Sequence, residues 1–181
     1  MAFELISLSP EVLLNTLKSV AEPLLYPSDT DAPLEIQLLT VAEVGEAISA
    51  EDIQRVFYDE GADFEVGSIE WAEANRLESN GTQRFFLDLP DIITTYPNNE
   101  YQVQEQYHRE HAQHWRTLRD LFFDNLVKQR WFRVDLAEPD SARADIYLVG
   151  RHLKIEVDPE TEETRTELLD WVVIKTYVIE A

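Results

Sequence analysis

The sequence predicts an α/β domain of the α+β kind, with a central, largely antiparallel or mixed sheet lying between helical layers. Three observations predict it. Helix-like patterns occupy the early and middle parts of the chain, and strand-like runs follow one another toward its end. The closing run, "WVVIKTYVIEA", has Val173, Tyr177 and Ile179 on one face and Val172, Ile174 and Val178 on the other. A strand that is apolar on both faces belongs in the middle of a sheet covered on both sides.

The elements follow in order. In "SPEVLLNTLKSVAEPLL", Ser9 is placed to cap a helix, Pro10 takes its first position, and Leu13, Leu17 and Val20 recur at helical spacing until Pro23 ends it. "LEIQLLTV", residues 34–41, is short, rich in branched side chains and bounded by Pro33, as a strand would be. Ser49 precedes a helical face of Ile53, Val56 and Phe57. "DFEVGSIEW" is a strand interrupted by Gly67. Residues 72–99 show turn signals in "SNGTQ" and "TYPNNE", and "RFFLDL" between them reads as an edge strand or a packed loop. From Glu100 to Lys128 the spacing of Trp115, Leu118, Phe122 and Leu126 predicts one long helix with a single apolar stripe. Three strands follow, "WFRVDL", "ADIYLV" and "LKIEV", and the acidic stretch "DPETEETRTELLD" connects the last of them to the closing strand. No repeat or low-complexity linker divides the chain, so residues 1–181 read as one domain.

Acidic residues outnumber basic ones 36 to 15, for a net charge of −21. So negative a field repels nucleic acid and anionic membranes and favours encounter with basic proteins. It also opposes self-association, so a monomer is expected. There is no cysteine, hence no disulfide and no cysteine-ligated metal. The first residues, "MAFELISLSPEVLL", lack the basic flank of a secretory signal, and no apolar run is long enough to cross a bilayer. A cytoplasmic protein is expected.

Few motifs carry chemistry. Asp29 and Asp31 in "LLYPSDTDAPLEI" could begin a calcium loop, but Leu34 stands where its glycine belongs and Thr40 where its bidentate glutamate belongs. Ser28, Asp29 and Asp31 then either cap an ordinary turn or project two charges from a stiff one. His108, His111 and His114 spread over about a third of a helix circumference and converge poorly on one ion. The five glycines spell no phosphate loop, dinucleotide fingerprint or nucleophile elbow. Paired carboxylates could serve a hydrolase, yet nothing in the sequence selects a pair. No cofactor and no resident metal are expected. Glu180 and the carboxylate of Ala181 would either project from a rigid strand end as fixed charges or fray.

The first helix, "LLYPSDTDAPLEI", the helix "WRTLRDLFFDNL", the strand "RADIYLVG" and the ending "VVIKTYVIEA" together resemble the nuclease A inhibitor family. The resemblance covers about two-thirds of the chain by the order of these motifs, and residues 72–105 read as a divergent insertion. It implies an α-β-α three-layer sandwich similar to the pathogenesis-related-protein-1-like fold. It also implies a non-enzymatic inhibitor of a basic, magnesium-dependent, sugar-nonspecific DNA/RNA endonuclease of the ββα-metal type. The partner-binding positions carried over are Asp29, which approaches the nuclease's magnesium, Glu180 and Ala181, with Ser28 and Asp31 as neighbours. The family more often has glutamate at the position of Asp29 and a hydroxyl-bearing residue at that of Ala181. The alternative is an acidic interaction or regulatory module of the same fold that binds a different basic protein.

Overall fold

The computed structural model describes residues 3–26, 32–59, 62–74 and 106–180, and for 106–112 the backbone alone. The element order is β1 (Glu4–Leu5), α1 (Pro10–Ala21), β2 (Leu25–Tyr26), β3 (Ala32–Pro33), β4 (Glu35–Leu39), α2 (Val41–Val44), α3 (Ala50–Phe57), β5 (Val66–Glu73), α4 (Gln106–Asn125), β6 (Leu126–Leu136), β7 (Arg143–Val157) and β8 (Thr164–Ile179). One sheet runs β4-β8-β7-β6-β5, and β1 adds to the far part of β7. Every pairing in it is antiparallel.

Local signals set the helix starts. Ser9 accepts from the Val12 N–H at 3.3 Å. Thr40 and Ser49 each open a capping box, with Glu43 and Asp52 as the returning carboxylates. On one face of the sheet, Leu13, Leu17 and Ala21 of α1 meet Trp115, Leu118 and Phe122 of α4 over Ile146, Leu148, Val172 and Ile174. On the other, Val44, Ile48 and Ile53 pack on Phe132, Tyr147, Val149, Trp171 and Val173. β8 therefore lies inside the sheet with apolar residues on both faces, as its sequence predicts.

The expected three-layer α-β-α sandwich is not what forms. The chain is mostly β, built on a six-stranded antiparallel sheet with few helices. The face opposite α1 and α4 is met by α2, of 4 residues, and α3, of 8 residues. An 8-residue helix is about 12 Å long, whereas the 15 residues of β7 extend about 50 Å. Helices so short cover part of a face and do not make a layer. Antiparallel neighbours are joined by hairpins, so the sheet needs no helix at each connection.

Three segments account for the difference. "ADIYLV" and "LKIEV" are one continuous strand, β7, because Gly150 lies within it as a packing site: an added Cβ would come within 2.8 Å of Leu126 Cβ and 3.2 Å of Phe122 Cζ. The acidic stretch 158–170 is a turn followed by seven residues of β8, Thr164 to Asp170, paired along β7 from Leu153↔Leu168 to Val157↔Thr164. Helix α4 stops at Asn125, so Leu126 and Lys128 belong to β6, and the left-handed φ of 55° at Lys128 falls in the register shift between Val127 and Arg130. The segments "RFFLDL", "SNGTQ", "TYPNNE" and 100–105 lie outside the described residues, whereas Ala72 and Glu73 end β5.

His152 on β7 is 2% exposed, and its Nε2 meets no hydrogen-bond partner among the described residues. Burial pushes its pKa below the ordinary 6.5, opposed by a bond with the Leu8 backbone. The unfolded chain then takes up its proton at a higher pH than the folded one. The stability His152 confers is complete above about pH 6.5 and is lost as pH falls toward and through the lowered folded value. Urea unfolding of the wild type and His152→Asn between pH 7.5 and pH 5 is expected to show the steeper decline in the wild type. Equal slopes would remove His152 from the account.

Candidate functional site

β2 and β3, on either side of residues 27–31, pair antiparallel through Leu25↔Pro33 and Tyr26↔Ala32. The stem is held firmly. Tyr26 is 1% exposed and meets the Trp115 ring edge-on at 6.3 Å, and Ala32 is fully buried. The β4–β8 register ends at Glu35↔Lys175, and Thr176 Oγ1 donates to the Pro33 carbonyl at 3.0 Å. The chain before β4 thus continues along β8 toward the C-terminal end of that strand. Ser28, Asp29 and Asp31 lie outside the described residues; Tyr26 and Ala32, which flank residues 27–31, are fixed at this end of the sheet.

The end of β8 is held as well. The Glu180 N–H donates to the Ala142 carbonyl at 2.8 Å, which carries the pairing past Ile179. Its carboxylate receives Arg133 Nη1 at 3.0 Å and Nη2 at 2.8 Å, while Arg133 Nε donates to Asp135 at 3.1 Å. Arg133 holds the Glu180 carboxyl below its ordinary pKa, and the Glu180 and Asp135 carboxylates push the guanidinium up despite its partial burial. The Glu180 side chain is 59% exposed, so the pair contributes only about 0–1 kcal/mol to stability. Its importance is positional. Ala181 lies outside the described residues. The exposed Glu65 and Glu138 stand at the same end, where the Ala137 N–H donates to the Glu65 carbonyl at 2.9 Å.

On the opposite face near this end is a cluster that the sequence did not flag. Asp145 is 1% exposed and accepts from the Tyr58 hydroxyl and from Arg143 Nε, the latter at 2.9 Å. The Tyr58 and Tyr147 hydroxyls are 2.6 Å apart. Burial, reinforced by the neighbouring Asp145 charge, raises both tyrosine pKa values. The Arg143 guanidinium lies 4.4 Å from the Phe64 ring and 4.1 Å from that of Tyr177. Only the polar Asp145 inside "ADIYLV" hints at it, because Tyr58 is 87 residues away in sequence.

Among the described residues no group of three or more His, Cys, Asp or Glu side chains could hold a metal ion. His114 is exposed, with Nδ1 3.4 Å from the Val20 carbonyl, and the side chains of His108 and His111 lie outside the description. A cleft of about 340 Å³ at the β7–β8 hairpin holds Lys154 and Arg165, both paired with Glu156. Another, of about 590 Å³, lies between α1 and β4, where Lys18 faces Glu22 and Glu35. Among the described residues no helix is long and apolar enough to cross a membrane. No family model matches this chain, and no curated protein matches it.

Proposed function

We propose that the chain is a non-enzymatic inhibitor of a magnesium-dependent, sugar-nonspecific DNA/RNA endonuclease, and that it occupies the nuclease cleft with the 27–31 loop and the end of β8. The observation that carries this reading is the convergence of the two stretches: the hairpin stem is bonded to β8 at Thr176, four residues before Glu180. Charge supports it. A nuclease indifferent to sequence reads phosphates, so its cleft is basic and holds a hard cation that prefers oxygen ligands. Surface carboxylates on a rigid frame offer similar charge without a scissile bond. With a net charge of −21, the protein is drawn to such a cleft and kept from its own copies, in keeping with action as a monomer in the cytoplasm beside a newly made nuclease.

The pairing of Glu180 with Arg133 favours a second reading, an acidic module for a different basic protein, because it leaves less net charge at the strand end for a metal. The two separate in one titration. DNA degradation by such a nuclease is followed with the protein added at low and moderate salt, under a large excess of magnesium. Stoichiometric inhibition that weakens as salt rises is expected. Absence of inhibition, or inhibition relieved by further magnesium, would overturn the nuclease reading, the latter because it reports chelation.

A further inference from the structure

We propose that Arg133 is the positioning residue of this site: its guanidinium reaches across β7 to hold Glu180, so that the end of β8 meets a partner in one conformation, with Glu180 as the tether. The inference rests on the nuclease-binding reading for its consequence and on geometry for its mechanism.

Arg133 lies on β6 and Glu180 follows β8, with β7 between them. In register, Arg133 stands opposite Ile146, Asp135 opposite Ala144, and Ala144 opposite Val178. The path from Arg133 to Glu180 therefore crosses β7 beside Ala144, whose methyl group leaves room on that face. All three guanidinium nitrogens are engaged, Nε by Asp135 and the two Nη atoms by Glu180. This fork-to-fork arrangement fixes direction as well as distance, which a lysine ammonium cannot do. With the Glu180 N–H bonded to Ala142, the last residue described is held through both its backbone and its side chain.

Strand ends ordinarily fray, and a frayed end loses chain entropy when it docks. The clamp removes that loss before encounter. It also cancels much of the Glu180 charge, which makes this residue a poor free ligand for a partner's cation.

The test compares the wild type with Arg133→Met, Arg133→Lys and Glu180→Gln. Glu180→Gln breaks the pair from its exposed side and so guards against a folding defect in the Arg133 variants. Two readouts are taken: hydrogen exchange of the Glu180 amide, and dissociation from the nuclease measured with magnesium in excess. Exchange is expected to rise by about 10-fold or more in Arg133→Met and Glu180→Gln, with unfolding midpoints little changed. Dissociation should quicken about fivefold, and Arg133→Lys should fall between wild type and Arg133→Met in both readouts. Unchanged exchange in Arg133→Met and Glu180→Gln would overturn the clamp. Faster exchange with unchanged dissociation would overturn the positioning role, and faster exchange with slower dissociation would overturn it and mark the pair as an autoinhibitory contact. Failure of the wild type itself to bind the nuclease would overturn the functional consequence, while the exchange arm would still show whether Arg133 orders the strand end.

Discussion

Asp145→Ala is expected to lower the unfolding free energy by about 3 kcal/mol. The carboxylate is 1% exposed and is the common acceptor for the Tyr58 hydroxyl and Arg143 Nε. Removing it leaves a guanidinium with no carboxylate partner at Asp145 and deprives the Tyr58 hydroxyl of its acceptor, although Tyr147 remains within 2.6 Å. The loss of one partner from a buried pair costs about 3–5 kcal/mol, and the lower end applies because the Arg143 side chain is 24% exposed and can be partly hydrated. Tyr58 is also the C-cap residue of α3, so the same change loosens that helix from the sheet. Asp145→Asn keeps an acceptor oxygen and gives up the charge, so a smaller cost of about 1–2 kcal/mol is expected. The melting temperature should fall by about 6–12 °C in Asp145→Ala. A fall below about 2 °C would mean that Tyr147 and solvent replace the carboxylate at no cost.

The contrast between Asp145 and Ser9 shows which kinds of structure a sequence displays. Ser9, Thr40 and Ser49 act on backbone groups three residues away, and the stripe Trp115, Leu118, Phe122 lies within one helix face. Such signals are local and could be read directly for Ser9, Ser49 and the stripe. The extent of β7 and β8 could not, because their outer thirds pair with each other beyond the start of β6, where there is little core to impose an apolar alternation. Thr164 to Asp170 is polar for that reason and resembles a connection. The role of Gly150, making room for Phe122 and Leu126 between "ADIYLV" and "LKIEV", depends on a helix and strand packed from elsewhere in the chain. The helix-like patterns suggested a sheet between helical layers and the resemblance implied a three-layer sandwich; the six-stranded antiparallel sheet with few helices replaces both.

The candidate site divides in the same way. The inner closing strand was visible in composition, since two-faced apolar alternation marks it. The nearness of Pro33 to the end of that strand was not, because it depends on the bond from Thr176 to Pro33, whose partners are 143 residues apart. The partner of Glu180 was hidden too. "WFRVDL" pairs Arg133 with Asp135 but holds nothing that points to Glu180, and only the β6–β7–β8 register brings the two within reach.

Asp29→Ala is expected to weaken inhibition of the nuclease by about 30-fold or more, equivalent to about 2 kcal/mol of binding free energy. The pairing of Glu180 with Arg133 concentrates the expectation on the loop, whose stem is fixed by Tyr26, Ala32 and the Thr176–Pro33 bond. A charge held on such a stem loses little freedom on docking, so more of its interaction with a basic, metal-containing cleft appears as affinity. Asp29→Asn separates charge from shape: it should lose nearly as much as Asp29→Ala if the carboxylate meets a cation, and much less if the side chain only fills space. Asp29→Glu tests reach, because one more methylene advances the carboxylate by about 1.3 Å along an extended side chain. If Asp29 falls short of the metal's water shell, Glu strengthens inhibition; if it already sits at the optimal distance, Glu weakens it. Because the interaction is between charges near a surface, the gap between wild type and Asp29→Ala should narrow as salt rises. Equal inhibition by wild type and Asp29→Ala at low salt would remove the loop from the mechanism and leave the end of β8, with its Arg133 clamp, to account for any inhibition that remains.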